Sequence, residues 1–380
     1  MDAQSPFQFG SLVSGDGFLN RAEELKRLEF NIRSGNSSIL ISPRRWGKSS
    51  LVRQVANKMK KEKEYVFCFI DLLPLKSEEA FYAQYAHLIL RAFHNKVDAI
   101  LQAARDFLTK ASPGLSLSLD PNTDIKLQFN WKDEQSASSI LALAQKLAVK
   151  HKKKLVVCLD EFQNIEQFSD PVGFQRQLRT HWQHQTDVCF VIYGSMRHMM
   201  QQIFADANYP FYRFGEIINL PPIATDEWVS FIVKRFEERG KRINPELAAD
   251  LVESVSQHSQ YVQHLAHIAF YHCGQGGELN RNQLDESIRQ LMREQTALFQ
   301  LTYERLSKDQ TAALRMLVDE VTHHFSQKET FTKYGFSSSS AVYRALSGLE
   351  KKAVLERFGN DLHFADPVFK LWLKELFASI

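Results

Sequence analysis

The chain encodes an α/β domain built on a parallel sheet with helices on both faces, followed by a helical domain and a small terminal unit of three helices and a hairpin. Three observations predict this. Runs such as Val66-Phe67-Cys68-Phe69-Ile70 and Leu155-Val156-Val157-Cys158-Leu159 are apolar throughout, as in strands buried on both faces of a parallel sheet. These runs alternate with stretches of helical periodicity as far as residue 222. From Thr225 the strand signal stops and helical periodicity continues alone until a short hairpin near the C-terminus.

Residues 1–20 are rich in Gly and Ser but carry Phe7, Phe9 and Phe18, so an ordered arm is expected, because the aromatics need somewhere to pack. Asn20 is a plausible N-cap, with Glu23 three residues on, and the helix stops near Ser34-Gly35-Asn36. A short apolar run, Ile39-Leu40-Ile41, then meets Ser42-Pro43-Arg44-Arg45-Trp46-Gly47-Lys48-Ser49-Ser50 and the start of a helix that continues to about Lys60. A second strand spans residues 64–72, and Ser77 to about Ala104 reads as a long helix or helix pair.

Residues 113–131 change character. Leu115–Leu119 and Ile125–Phe129 alternate with period two across Asp120-Pro121-Asn122-Thr123-Asp124, a hairpin signature that reads as an insertion. A helix over Ser136–His151 leads into a third strand ending Asp160-Glu161. Phe174–Gln185 is helical, a fourth strand ends at Gly194-Ser195, and a short fifth is stopped by Pro221-Pro222. The helical domain follows over residues 223–306, with Asn244-Pro245 opening one helix and Gly274, Gly276 and Gly277 closing another. Residues 307–380 hold three helices, two strands about Gly359-Asn360 and a final amphipathic helix, which is the winged-helix pattern. The expected domains are therefore 1–222, with 113–131 inserted, then 223–306 and 307–380.

Composition sets bounds. At 380 residues the chain exceeds one ordinary core, and two to three domains are expected. With 47 basic and 44 acidic residues, bulk charge implies no acidic partner. Cys68, Cys158, Cys189 and Cys273 are scattered without a C-x-x-C pair, which reads as buried reduced thiols in a cytoplasmic protein. No apolar run approaches the roughly 18–20 residues of a membrane span, so no membrane partner is expected. The first residues lack a basic segment followed by an apolar one, so no signal peptide is expected.

The stretch 39–52 has the grammar of a phosphate-binding loop: strand, G-x-x-x-x-G-K-[ST], helix. In such a loop, backbone N–H groups cradle phosphate oxygens. Lys48 brings a positive charge to the β/γ-phosphates, and Ser49 offers a hydroxyl to Mg²⁺. The first glycine of the motif is Ser42, which would be strained if that position needs φ > 0. Asp160 is placed to hold Mg²⁺ through its water shell and Glu161 to orient or deprotonate an attacking water. Ser195 ends the next strand, where it would touch the γ-phosphate or that water. This is the order of parts in P-loop ATPases of the additional-strand type. Arg213 is the candidate cation for the developing charge, against the alternative of an ion-paired surface arginine. Arg44 and Arg45 lie inside the loop and face either phosphate or a neighbouring subunit, which leaves a nucleotide-dependent homo-oligomer open.

Ser42–Val52, Leu159-Asp160-Glu161-Phe162-Gln163, Tyr193-Gly194-Ser195 and Phe211–Ile223 together resemble the archaeal-type ATPase family. That family belongs to the STAND branch of AAA+-like P-loop NTPases and has origin-recognition ATPases as relatives. Asp366-Pro367-Val368-Phe369-Lys370-Leu371-Trp372-Leu373 resembles the family's terminal helix. The resemblance implies a nucleotide domain, a helical lid and a C-terminal winged helix, with ATP rather than GTP used in a switch-like way. His258-Ser259-Gln260-Tyr261 resembles the lid motif but lacks its proline, leaving His258 as the candidate lid contact.

His264 and His267 share a helix face without a strong zinc spacing, which is the pattern of ordinary helix histidines. The winged helix carries Arg344, Lys351 and Lys352 on its third helix, with Ser337–Ser340 able to reach phosphates. Residues 307–380 hold ten Lys/Arg against nine Asp/Glu, however, which favours a protein-contact or lid-packing module over a DNA reader. The sequence therefore predicts an ATP- and Mg²⁺-binding protein, a slow ATPase switch converting ATP and water to ADP and phosphate. The alternatives are a DNA-binding ATPase of origin-recognition or regulator type and a nucleotide-binding scaffold without turnover.

Overall fold

Alternate residues of each central strand face opposite sides of one sheet, and both sides are apolar. That pattern builds a three-layer α/β unit. The computed structural model describes residues 4–10, 19, 21–94, 115–119, 125–129, 134–321, 323, 325, 327–358 and 361–378. Close packing divides the chain into a unit of residues 12–221 and a unit of residues 1–11 with 222–380.

In the first unit the elements are α1 (Ala22–Arg33), β1 (Ser38–Ile41), α2 (Lys48–Met59), β2 (Tyr65–Asp71), α3 (Glu78–Phe93), β3 (Leu115–Leu119), β4 (Ile125–Phe129), α4 (Glu134–His151), β5 (Lys154–Asp160), α5 (Pro171–Trp182), β6 (Val188–Gly194), α6 (Arg197–Ala205) and β7 (Glu216–Asn219). Five strands form one parallel sheet in the order β2-β5-β6-β1-β7. Strand β6 is therefore inserted between the strand that feeds the loop, β1, and the strand that ends in two acids, β5. Leu40, Phe67, Val156, Cys158, Val191 and Tyr193 join Leu28 and Ile32 of α1 and Leu51, Val52 and Val55 of α2 on one face. Ile39, Ile41, Cys68, Ile70, Val157, Leu159, Phe190 and Ile192 join residues of α3, α4, α5 and α6 on the other. Each such Leu, Ile or Phe contributes roughly 1.5–3 kcal/mol on leaving water. This core holds three strand ends rigidly side by side.

Strands β3 and β4 pair antiparallel, Leu115 opposite Phe129 and Leu119 opposite Ile125, as the alternation predicts. Their turn and the second part of the helix expected to reach Ala104 lie outside the described residues. The N-cap of α1 is Arg21 rather than the expected Asn20, and Arg21 makes no side-chain cap bond because its guanidinium can only donate. The four cysteines are buried and unpaired. Burial pushes the Cys68 and Cys189 thiols up to about 12, so both stay protonated.

The second unit contains α7 (Thr225–Glu237), β8 (Arg242–Ile243), α8 (Pro245–Ser254), α9 (Ser259–His272), β9 (Glu278–Leu279), α10 (Arg281–Glu304), α11 (Lys308–Val318), α12 (Lys328–Lys333), α13 (Ser339–Lys351), β10 (Leu355–Phe358), β11 (Asp361–Phe364) and α14 (Pro367–Ala378). Helices α10 and α11 each open with a capping box, at Asn280/Gln283 and Ser307/Gln310. The two-residue parallel pair β8–β9 is too short to leave a period in the sequence. The N-terminal arm packs here: Phe7 sits among Phe231, Phe236 and Phe270 at centroid distances of 5.8–6.2 Å. Phe9 stacks on the His264 ring at 3.9 Å. His264 also meets Glu294 at 3.1 Å, and His272 Nδ1 lies 3.1 Å from Ser287 Oγ. These histidines serve packing and hydrogen bonding within the helices. No helix among the described residues is long and apolar enough to cross a membrane.

Candidate functional site

The C-terminal ends of β1, β6 and β5 lie in that order, and each carries part of the site. After β1 the chain turns through Ser42 to Gly47 and enters α2. Two residues there are left-handed: Arg45 at φ 65° and Gly47 at φ 92°. Ser42 is not among the residues of positive φ, so serine sits at the motif's first position without strain. Gly47 is where glycine is required, as the N-cap of α2. The turn places the positive end of α2 at the mouth of the loop, which is the electrostatic setting for an anion.

Lys48 is the first residue of α2 and only 5 % exposed. Its Nζ donates to the Ser42 and Pro43 carbonyls, both at 2.8 Å, and to Ser42 Oγ at 3.4 Å. The ammonium thus holds its own loop. Ser49 Oγ donates to Asp160 Oδ2 at 2.8 Å, reaching from the loop's helix to the end of β5. Burial pushes the Asp160 carboxyl up to about 6. The Ser49 hydroxyl opposes that shift and the neighbouring Glu161 charge adds to it. One hydroxyl and one carboxylate of raised pKa form a hard-oxygen pair that suits a divalent cation keeping most of its waters. Ser50 is buried in the first turn of α2.

Glu161 follows Asp160 in a left-handed conformation, φ 50°, at the start of a 3-10 turn over Phe162–Gln167. Its Oε2 accepts from Ser195 Oγ at 2.8 Å and from Gln163 Nε2 at 2.5 Å. Ser195, 3 % exposed, in turn accepts from Arg44 Nε at 3.3 Å. Loop, β6 end and β5 end are therefore joined by a continuous chain, Arg44–Ser195–Glu161–Gln163. It closes because β6 lies between β1 and β5.

Not every expected residue enters this cluster. Arg213 is exposed, left-handed at φ 53°, and lies over the Tyr212 ring at 5.0 Å. No hydrogen bond among the described residues links its guanidinium to Lys48, Glu161 or Ser195. Arg45 points outward, and Trp46 is buried. His258 caps α9 in the second unit, its ring 4.9 Å from that of Tyr261. Tyr261 donates to Asp366 Oδ2 at 2.5 Å, and Asp366 Oδ1 accepts from the Val368 and Phe369 N–H groups that begin α14.

Two residues escaped sequence reasoning. Arg21, 4 % exposed, donates to the Trp46 carbonyl at 3.1 Å and the Pro221 carbonyl at 3.0 Å, tying the loop to the chain beyond β7. An arginine before an acidic first turn, against the helix dipole, was its only sequence signal. Gln163 stands in the Leu159–Gln163 motif without a role of its own in the sequence, where its signal is a polar side chain between apolar Phe162 and Ile165. In the structure all three are buried.

A family model described as an ATPase domain predominantly from Archaea matches residues 18–257, more than half of the chain. The chain belongs to that family. A second model, "probable winged helix domain", matches residues 297–375. No curated protein matches the sequence. Among solved structures, this archaeal-type ATPase is similar to the Walker-type ATPase PABY2304 of Pyrococcus abyssi. The TM-score is 0.67 and the identity 17 %, over 94 % of this chain and 97 % of that one. It is also similar to the ORC2 protein of Aeropyrum pernix in its ADPNP and ADP complexes. Here the TM-score is 0.56 and the identity 14 %, over 98 % of each chain. Both likenesses extend the P-loop NTPase fold, with its terminal winged helix, to nearly the whole chain.

Proposed function

We propose that this archaeal-type ATPase binds Mg-ATP at the loop and hydrolyses it slowly, as a switch read out by the helical and winged-helix parts. The carrying observation is the convergence of Lys48, Ser49–Asp160 and Glu161–Ser195 from three strand ends onto one place. Lys48 exchanges the Ser42 and Pro43 carbonyls for β/γ-phosphate oxygens. Ser49 and Asp160 would hold Mg²⁺, which when bound neutralises charge developing on the phosphates. Glu161 aligns a water and takes its proton as the water oxygen bonds to the γ-phosphorus and ADP leaves. Ser195 and Arg44, bonded to each other, sense whether a γ-phosphate is there. Arg213 would supply a cation only after its loop moves.

For the switch, the support is the Tyr261–Asp366 bond, which couples the lid motif to the cap of the terminal helix. The ADPNP- and ADP-bound ORC2 structure adds support for ATP as the ligand. We take residues 1–222, 223–306 and 307–380 as sensor, lid and output, in a cytoplasmic protein that binds its partner in one nucleotide state. Glu161→Gln is expected to retain ATP and lower phosphate release about 10²–10⁴-fold. A pull-down with that variant in ATP and in ADP then identifies the state-specific partner. Phosphate release at the wild-type rate would remove Glu161 as base, and identical pull-downs would remove the switch.

A DNA-binding ATPase is the second reading. What favours it is Tyr343, 52 % exposed beside exposed Arg344 on α13. Duplex affinity falling steeply with salt, and weakened by Arg344→Ala, would establish it.

A further inference from the structure

We infer that Gln163 is a positioning residue for hydrolysis, acting through Glu161, and that Gly194 is glycine to make room for it. This rests on the hydrolytic reading above.

Gln163 is 1 % exposed, inside the 3-10 turn that follows the two acids. Its neighbours in that turn, Phe162 and Ile165, are fully buried, and Asn164 donates to the Leu72 carbonyl at 3.4 Å. A carboxylate only accepts, so the NH₂ end of the Gln163 amide faces Glu161 Oε2, at 2.5 Å. The other end, Oε1, finds no hydrogen-bond partner among the described residues. Burying an amide half-satisfied costs stability, and a leucine or methionine would fill the same space without that cost. What sets this amide apart from other buried ones is its partner, the Glu161 carboxylate just beyond β5.

The surroundings are built for it. A Cβ on residue 194 would lie 2.1 Å from Gln163 Oε1 and 2.6 Å from Met200 Sδ. Only glycine at the end of β6 lets the amide sit under the strand. One residue later, Ser195 donates to the same Glu161 oxygen at 2.8 Å. Two donors from different elements thus converge on Oε2, one from the 3-10 turn and one from β6. No hydrogen bond reaches Glu161 Oε1 among the described residues. The carboxylate is held by one oxygen and offers the other. That fixes the direction in which a water must lie to give up its proton, and catalytic rate depends steeply on such alignment.

The test is a double-mutant cycle on phosphate release, using the full-length protein with Mg-ATP. Single-turnover rate, KM for ATP and Tm are measured for wild type, Gln163→Met, Glu161→Gln and the double variant. Gln163→Met is expected to lower kcat about 10–100-fold, with KM within about twofold and Tm unchanged or raised. In the Glu161→Gln background the same substitution is expected to change the rate by less than about twofold, because its effect passes through Glu161. A merely structural role would lower Tm and cost the same factor in both backgrounds, and that result overturns the inference. Gly194→Ala, which displaces the amide without altering either carboxylate, is expected to reproduce the kcat loss and serves if Gln163→Met fails to fold. Wild-type protein that binds ATP but releases no phosphate overturns the hydrolytic reading and this inference with it. Wild-type turnover with unchanged Gln163→Met kcat overturns this inference alone.

Discussion

Two buried lysines of this chain make nearly the same bonds in opposite electrostatic settings. Lys48 donates to the Ser42 and Pro43 carbonyls at 2.8 Å each. Lys241 donates to the Phe270 and Cys273 carbonyls at 2.7 and 2.5 Å, its Nζ 4.1 Å from the Phe270 ring. Lys241 meets the C-terminus of α9, where the last carbonyls lack partners and the dipole is negative. A cation belongs there, and the bonds serve the fold. Lys48 begins α2, at the positive end of a helix, where a cation is unfavourable. Under the proposed function, its bonds to a loop containing two left-handed residues hold the ammonium until an anion takes it over. Hydrogen bonds alone do not distinguish the two lysines. The helix end does.

Substituting each lysine separates these roles. Lys48→Met is expected to weaken ATP binding at least about 100-fold, through loss of a charge-assisted contact to phosphate. Lys241→Met should leave binding within about twofold. Equal losses of affinity in both, read by equilibrium binding, would mean that the helix end does not set the two lysines apart. Stability is expected to run the other way. Lys241→Met leaves two helix-end carbonyls without their donor and should cost about 2–3 kcal/mol in denaturant unfolding. Lys48→Met should cost little, because it also removes a cation from a helix N-terminus.

A smaller effect is expected at Asp160, which accepts from Ser49 one residue beyond Lys48. Burial holds its carboxyl at about 6, above the unfolded value of about 3.9. The folded state therefore keeps the proton more tightly. The stability this gives is complete below pH of about 4 and is lost as pH rises through about 6. At pH 7.5 without Mg²⁺, Asp160→Asn is expected to raise stability by about 1–2 kcal/mol while removing the Mg²⁺ dependence of ATP binding. In wild type, Mg²⁺-dependent affinity should fall as pH drops below about 6, because a protonated carboxyl no longer attracts the cation. Unchanged Tm in Asp160→Asn, or affinity flat from pH 7.5 to 5, would contradict this.

The fold was largely legible because strands apolar on both faces declare a parallel sheet, and Leu155–Leu159 and Val188–Ile192 form its centre. The order β5-β6-β1 is consistent with the additional-strand type that the succession of motifs pointed to, although the strand order itself comes from the structure. What stayed hidden was long-range or backbone-level. Arg21 meets a carbonyl 200 positions away, and Phe7 packs on residues beyond position 230. The question over Ser42 concerned φ, which residue identity does not fix, and the left-handed turn falls at Arg45 and Gly47 instead. Gln163 could be seen as polar, but its partners Glu161 and Gly194 become neighbours only once β6 lies beside β5.

If Lys48 is held ready for phosphate, as proposed, calorimetric titration of ATP into wild-type and Lys48→Met protein, with and without Mg²⁺, shows it. Saturable one-to-one binding by wild type, strengthened by Mg²⁺ and lost in Lys48→Met, is the expected result. Affinity unchanged by removing the Lys48 ammonium, or no binding by wild type, would contradict it.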